Sequence, residues 1–296
     1  MRDQAEKLRQ MVKNSIRDST SGNIIKCQTS KTRVITVTSG KGGVGKTNFT
    51  VNLALSLANA AQKVLLIDAD LGMANVDVVL GYSTKYNMLN LLEDNISLPD
   101  VVTDGPRGIK FMSGGSGIYE LANLSHHQLQ HIIKQVTLFD SWADFILVDT
   151  GAGINRNVLN FVMAADEVIV ITTPEPTAIT DAYAMIKAYA SNHGTAPVNL
   201  VINRVLDNEE GQNVVDKLTK VSSRFLGQQV KSLGVVYEDR NMRQAVKQQT
   251  PLILSFPDTI SARCIDNIAH LILYGNPVAK PRGIRGFFHR FLDMKW

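Results

Sequence analysis

Apolar runs rich in Val, Ile and Leu alternate with amphipathic helical stretches along most of the chain. The apolar runs are short and continuous, which is typical of strands covered on both faces of a parallel sheet. The predicted strands are Val34–Thr38, Val64–Asp68, Ile109–Met112, Phe145–Asp149, Val168–Thr172, Leu200–Asn203 and Ser232–Val236. The predicted helices include Thr47–Asn59, His126–Thr137, Asn157–Ala164, Thr177–Asn192 and Val214–Phe225. The alternation indicates βαβ units, so we predict an α/β fold with a doubly wound, mostly parallel sheet and helices on both faces.

The two ends of the chain lie outside this alternation. Residues 1–18 have a short helical pattern, and residues 19–32 are small and polar, which predicts a linker. The alternating body is predicted over residues 33–276, and residues 277–296 are predicted to hold a second linker and an amphipathic helix. The apolar residues of this helix fall on one side of it, and they are Ile284, Phe287, Phe288, Phe291, Leu292 and, at the rim, Trp296.

Composition and charge narrow the class of protein. The 296 residues are 44% hydrophobic and 20% charged, as in an ordinary soluble globular protein. The net charge of +4 comes from the ends, because residues 1–35 hold eight Lys/Arg against three Asp/Glu and residues 277–296 hold five against one. The body is therefore mildly acidic, and the basic ends are expected to meet an anionic surface or partner. Cys27 and Cys264 form no CxxC pair, which argues against a zinc or iron–sulfur site within one chain.

A glycine-rich segment follows the first predicted strand and opens the first predicted helix. Residues 40–47 are GKGGVGKT and match the phosphate-binding pattern GxxxxGK[ST] in the strand–loop–helix setting that it requires. The glycines let consecutive backbone N–H groups face one anion, and the helix adds its positive dipole end. Lys46 is expected to contact the β- and γ-phosphates of ATP, and the Thr47 hydroxyl to ligate Mg²⁺. The residues predicted to bind ATP here are Gly42, Gly43, Val44, Gly45, Lys46, Thr47 and Asn48.

An additional lysine, Lys41, distinguishes this loop from the general pattern. The sequence KGGVGKT resembles the deviant Walker A motif of the MinD/ParA/Mrp family of ATPases, and the resemblance covers residues 33–275. It implies ATP hydrolysis and a homodimer that forms with ATP. It also implies that Lys41 approaches the phosphates across the dimer interface, where a second positive charge would stabilise charge developing on the γ-phosphoryl group.

Two acidic motifs follow predicted strands, at the edge of the sheet where ligands bind in such folds. Asp68 and Asp70 lie in a segment that resembles switch I of this family, which gives Asp70 the role of orienting the attacking water. Asp149 opens a segment that resembles Walker B and switch II. Asp68, Asp149 and Thr47 are the predicted Mg²⁺ site. Gly151 stands where family members often have proline, which leaves the stiffness of this loop open.

The adenine base is expected to bind at the end of a later strand. Asn203 and Arg204 resemble the adenine-binding Asn-Arg pair of the family. The Asn203 amide offers both a donor and an acceptor to the adenine edge, and Arg204 either packs against the ring or caps the strand. The family usually has proline where Tyr237 stands, so contacts of the base with that segment stay open.

The two ends favour one branch of the family. The C-terminal helix resembles the membrane-targeting tail of the MinD group, and its thirteen residues suit the interface of an anionic membrane rather than its full thickness. Docking of this helix on its own body or on another protein is the alternative. Residues 3–9, DQAEKLR, resemble the start of the FlhG group (also called FleN or YlxH), which governs flagellar number and placement. This resemblance makes Gln4 the candidate residue for stimulating an FlhF-type GTPase. The alternative is that this segment is a helix folded over the sheet or a frayed end of the chain.

The leading hypothesis is therefore an ATP-driven switch that lies in the cytoplasm and binds the inner face of the cell membrane reversibly. Flagellar C-ring proteins or a transcriptional regulator are further expected partners. A ParA-like ATPase that positions DNA or cargo and a MinD-type regulator of the division site are the alternatives. Direct DNA binding is not expected, because the body is acidic. An iron–sulfur carrier is disfavoured by the cysteine positions.

Overall fold

One eight-stranded sheet forms the centre of the molecule. The computed structural model describes residues 32–70, 75–113, 125–275 and 281–293. The strands have the spatial order β3-β4-β2-β5-β1-β6-β7-β8, and they pair in parallel except for β3 and β4, which are antiparallel. They are β1 Arg33–Ser39, β2 Val64–Ala69, β3 Thr103–Asp104, β4 Lys110–Ser113, β5 Phe145–Ala152, β6 Glu167–Thr172, β7 Val198–Val205 and β8 Val230–Tyr237.

Helices connect the strands and cover both faces of the sheet. They are α1 Lys46–Asn59, α2 Val76–Leu80, α3 Leu98–Val101, α4 His126–Val136, α5 Arg156–Ala164, α6 Pro176–Ser191, α7 Asn208–Leu226, α8 Arg240–Lys247, α9 Leu252–Ser255, α10 Ile260–Tyr274 and α11 Gly283–Asp293. Short 3₁₀ helices span Met88–Leu92, Pro106–Gly108 and Thr137–Ser141. Within the described residues, no helix is long and apolar enough to cross a membrane.

Alternate residues of each central strand face two different helical layers. In β5, Phe145 and Leu147 belong to the apolar cluster that includes α1 and α10. Ile146 and Val148 belong to the cluster that includes α4, α5 and α11, and α6 and α7 extend that layer over β6 and β7. Because both faces are covered, the strands are continuous apolar runs, and the doubly wound α/β fold predicted from the sequence is confirmed.

The apolar side of α11 is buried in the body of the protein. The ring of Phe161 in α5 lies 4.8 Å from that of Phe291 and 6.2 Å from that of Phe287, between ring centroids. Burial of one such ring stabilises the docked helix by roughly 1.5–3 kcal/mol relative to leaving the ring exposed to water. Docking on its own body, which the sequence left as the alternative, is thus the arrangement of this helix. The side chains with at most 5% exposure are Ile284, Phe287, Phe288 and Phe291, while Leu292 is partly buried and Trp296 lies outside the described residues.

Two carboxylates fix α11 in this position. Asp140 accepts the backbone N–H groups of Ile284 and Arg285, at 2.7 and 3.2 Å, and so satisfies two free donors at the start of the helix. Arg290 donates to Asp166 Oδ1 at 2.9 Å and to the carbonyl oxygen of Ala165 at 2.9 Å. Burial raises the pKa of Asp166, and the neighbouring Arg290 opposes that rise. The helix is therefore held by specific polar contacts as well as by apolar burial.

Candidate functional site

The glycine-rich loop connects β1 to α1 at the carboxyl edge of the sheet. Gly43 and Gly45 have φ angles of 79° and 91°, which L side chains rarely adopt. A Cβ at Gly45 would lie 2.4 Å from Asn203 Nδ2, so this glycine is also required by a close contact. Asn203 Nδ2 donates to the carbonyl oxygen of Val44 at 2.8 Å. The predicted phosphate loop and the predicted base-binding residue are thus in direct contact.

Asp149 joins the loop to β5. Its carboxylate accepts hydrogen bonds from Lys46 Nζ at 3.1 Å, Thr47 Oγ1 at 2.7 Å and Thr50 Oγ1 at 3.1 Å. Burial raises the pKa of Asp149, and the charge of Lys46 opposes that rise. Lys46 is itself only 7% exposed. A buried ammonium group is therefore held against Asp149 by the loop, and a phosphate would be a strong alternative partner for it.

Asp68 holds the segment that resembles switch I. Its Oδ1 accepts the N–H of Asp70 at 3.0 Å, and its Oδ2 accepts those of Asn75 and Val76 at 2.8 and 3.0 Å. Burial raises the pKa of Asp68 to about 6; the Val76 N–H lowers it, while the negative charge of Asp149 raises it further. Asp68 therefore binds the backbone of Asp70, before residues 71–74, and of Asn75 and Val76, after them; residues 71–74 lie outside the described ranges.

Asp70 lies against the segment that resembles switch II. A Cβ at Gly151 would be 3.3 Å from Asp70 Oδ1, so the missing side chain leaves room for this carboxylate. The departure from the family's proline at position 151 is thus compatible with contact between the two switch segments.

Lys41 lies at the outer side of the loop. Its Nζ donates to Glu175 Oε2 and to Thr177 Oγ1, each at 2.9 Å, where α6 begins. These contacts are exposed, and the hydrogen bond from Lys41 lowers the pKa of Glu175. A Cβ at Gly40 would lie 2.1 Å from the carbonyl oxygen of Asp181, so the loop and α6 are packed backbone to backbone.

A cavity of about 420 Å³ opens beside the loop, between β7, β8 and α8. This volume suits a nucleotide base with its sugar. Arg204 lines the cavity and pairs with Glu238 at 2.8 Å, with a backbone φ of 61°. The arginine therefore forms a wall of the cavity, and its partner Glu238 belongs to the segment around Tyr237 that the sequence left open. The apolar residues of the cavity include Phe49, Val236, Met242 and Ile265.

The donor groups near Thr47 fit a magnesium ion. The Thr47 hydroxyl and Asp149 Oδ2 lie 2.7 Å apart, and Asp68 is close enough to Asp149 for their charges to interact. Hydroxyl and carboxylate oxygens are the ligands that Mg²⁺ prefers. These residues would hold Mg²⁺ directly or through its waters, and the ion would supply positive charge at the phosphates.

The site contains side chains that the sequence did not single out. Glu175 and Thr177 contact Lys41, Thr50 contacts Asp149, and Met242 with the rest of α8 closes the base cavity. A signal existed for α8, because Asp239 stands at its N-cap and accepts the N–H of Asn241. The contacts of Lys41 with Glu175 and Thr177, and of Thr50 with Asp149, join residues far apart in the chain, so no local sequence pattern predicts them. Gln4 lies outside the described residues.

The fold and this site define a P-loop nucleotide hydrolase. The ParA family model, described as "NUBPL iron-transfer P-loop NTPase", matches residues 30–273, and the chain belongs to the ParA/MinD family of P-loop NTPases. The antiactivator FleN of Pseudomonas aeruginosa is 40% identical over 86% of this chain and 91% of its own length. The flagellum site-determining protein YlxH of Helicobacter pylori is 34% identical over 88% of this chain and 90% of its own length.

Solved structures agree with this assignment. MinD in the MinC–MinD complex of Aquifex aeolicus has a TM-score of 0.66 at 25% identity, over 83% of this chain and 97% of that chain. MinD of Pyrococcus horikoshii, solved with Mg-ADP, has a TM-score of 0.64 at 25% identity, over 82% of this chain and 98% of that chain. The predicted family and enzyme class are confirmed, and the chain is an ATPase of this family.

Proposed function

We propose that the protein is an ATP-driven switch that forms a homodimer, binds an anionic membrane through α11 and regulates flagellar number and placement. The observation that carries this proposal is the arrangement of α11, whose aromatic side is buried against the helix that follows the Asp149 segment. A change at the phosphates can therefore reach the membrane-binding surface through a short path.

ATP replaces contacts that the protein makes with itself. Lys46 is bound to Asp149, and Lys41 is bound to Glu175. The γ-phosphate carries enough negative charge to compete for both ammonium groups. Lys46 would bind it within the same chain. Lys41 is exposed at the edge of the site, so it is suited to contact the phosphates of a second copy.

Hydrolysis would end the dimeric state. Asp70, in the segment that resembles switch I, lies beside the backbone at Gly151 in the segment that resembles switch II. A carboxylate in this position can orient a water molecule for attack on the γ-phosphorus. Loss of the γ-phosphate removes the partner of both lysines, and the contacts with Asp149 and Glu175 form again.

Membrane binding requires α11 to leave the groove beside Phe161 of α5, where its apolar side is buried. Residues 153–155 join the end of β5 to α5, and Phe161 of α5 packs on α11. Movement of the Asp149 segment toward the phosphates would shift α5 and weaken that packing. The released helix presents Phe287, Phe288 and Phe291 to lipid, and two such helices in a dimer bind far more tightly than one.

The flagellar role rests on similarity to FleN and YlxH. An FlhF-type GTPase is the proposed partner of the N-terminal segment, with Gln4 as the stimulating residue. A GTPase assay with the wild type and a Gln4→Ala variant tests this part, since only the wild type should accelerate GTP hydrolysis. Equal stimulation by both proteins would contradict the role of Gln4.

Sedimentation with anionic vesicles tests the switch itself. The full chain is incubated with vesicles and Mg-ATP or Mg-ADP, beside a Lys46→Gln variant that has lost the phosphate contact. We expect the wild type to pellet mainly with ATP and the variant to pellet with neither nucleotide. Equal pelleting of the wild type in ATP and ADP would contradict the proposal.

A further inference from the structure

The last two turns of α10 present an exposed face that no other described element covers. Leu271 is 51% exposed and Tyr274 is 75% exposed. Asn267 and His270 share this face and are also exposed, and the His270 and Tyr274 rings are in contact at 5.1 Å between centroids. The opposite face of the same helix is buried in the core through Ile265, Ile268, Ala269 and Ile272. Leu271 and Tyr274 are large, mostly apolar side chains that are exposed close together in a well-packed helix, which indicates an interaction surface.

The end of this face and the start of the C-terminal helix lie at the same edge of the sheet. Arg33 Nη1 donates to the carbonyl oxygen of Ile272 at 2.7 Å. The next residue of β1, Val34, donates its N–H to Asp166, and the same carboxylate accepts the N–H of Arg282 at 3.2 Å. The end of α10 and the start of α11 therefore both meet the first two residues of β1, at the amino edge of the sheet.

Basic residues at this edge of the sheet suit an anionic surface. Arg282 and Arg285 are exposed at the start of α11, while Arg33 is bound within the protein by Glu167. Arginine pairs well with lipid phosphates, a tyrosine ring with its hydroxyl prefers the level of the headgroups, and a leucine side chain reaches the acyl boundary. The combination is that of a membrane-contacting surface.

We propose that Leu271 and Tyr274 form a second membrane contact, which lies against anionic phospholipid when α11 is bound to the same membrane. The inference rests on the proposed membrane function and adds a surface of the folded body to it. The body is then held at two points, with the amino edge of the sheet toward the lipid and the ATP site, at the carboxyl edge, facing away from it.

A fluorescence experiment on the full chain tests the contact. In a Cys27→Ser, Cys264→Ser background, Tyr274→Cys carries an environment-sensitive fluorophore. The matched control carries it at Ile260→Cys, which is 57% exposed on the same helix. Position 260 lies about 21 Å away along the helix, near the carboxyl end of β8, because Ser261 donates to the carbonyl oxygen of Tyr237.

Vesicles of phosphatidylcholine and phosphatidylglycerol are added with Mg-ATP, with and without nitroxide-bearing lipid. We expect a blue shift and nitroxide quenching at position 274 and neither at position 260. An unlabelled Leu271→Ser variant is expected to bind these vesicles about tenfold more weakly.

The possible results separate this inference from the proposed function. Sedimentation with vesicles but no quenching at 274 would overturn the second contact and leave membrane binding by α11 in place. No sedimentation at all would overturn both. A blue shift at 274 without vesicles that disappears when residues 1–31 are removed would show that the N-terminal segment covers this face, and it would also overturn the inference.

Discussion

Replacement of Asp166 by asparagine tests the hold on α11 without altering the helix itself. Asp166 is 2% exposed and Arg290 is 20% exposed in their side chains, so the ion pair between them is largely withdrawn from water. The Asp166→Asn variant retains an oxygen for the N–H of Val34 but leaves the Arg290 guanidinium without its carboxylate. Loss of such a pair costs about 2 kcal/mol. This corresponds to about a thirtyfold shift of the equilibrium toward released helix.

The assay is sedimentation with anionic vesicles in Mg-ADP and Mg-ATP. We expect the Asp166→Asn variant to bind in ADP nearly as well as the wild type binds in ATP, because the lipid-binding side chains of α11 are unchanged. The matched control is Glu167→Gln. Glu167 is the adjacent buried carboxylate, and it pairs with Arg33 rather than with α11.

Two results would refute the reasoning. Binding in ADP that stays at the wild-type level in Asp166→Asn would mean that the ion pair does not hold the helix. An equal rise in Asp166→Asn and Glu167→Gln would mean that general destabilisation, rather than the specific contact, releases α11. Thermal unfolding of both variants, monitored by circular dichroism, establishes that they are folded at the assay temperature.

Two further predictions concern the nucleotide site. Because burial raises the pKa of Asp68 to about 6 from 3.8, the folded chain retains a proton that the unfolded chain has lost. The protonated Asp68 carboxyl makes its full contribution to the free energy of unfolding below about pH 4. This contribution is lost as the pH rises through about 6. Relative to Asp68→Asn, the free energy of unfolding of the wild type should therefore fall by about 3 kcal/mol between these limits, measured by urea unfolding in a chelator; a constant difference between the two proteins would contradict this. Gly45→Ala should lose ATP binding and stability, since a Cβ would meet Asn203 at 2.4 Å, whereas Gly153→Ala has a similar φ of 92° and open space around its Cβ. Calorimetric titration with ATP and thermal unfolding distinguish the two, and equal losses in both variants would exclude the Asn203 contact as the cause.

The sequence predicts the sheet and the phosphate loop well because their signals are local. The run Phe145–Val148 is apolar throughout because both of its sides are covered, and the spacing of Gly45, Lys46 and Thr47 is set by the geometry of a loop around a phosphate. Each signal lies within a few neighbouring residues. Strand β3, Thr103–Asp104, is two residues long and has no such pattern, so the sequence did not predict it.

Other features depend on contacts between distant parts of the chain. The amphipathic pattern of Ile284–Trp296 indicates that one side of the helix seeks an apolar surface, but it does not distinguish a membrane from the groove beside Phe161. The choice depends on Asp140 and Asp166, more than a hundred residues away. The pairing of Lys41 with Glu175 could not be predicted from local sequence either, because the two residues are 134 positions apart.

The measurement that tests the central claim most directly is the molar mass of the Asp70→Ala variant by light scattering, with Mg-ATP and with Mg-ADP. Asp70→Ala is expected to bind ATP without hydrolysing it, so the dimer should persist during the measurement. We predict twice the chain mass of 32.5 kDa in ATP and a single chain mass in ADP. Lys41→Ala in the same background should reduce the fraction of dimer in ATP. A variant that binds ATP and nevertheless remains a monomer would contradict the ATP-driven switch.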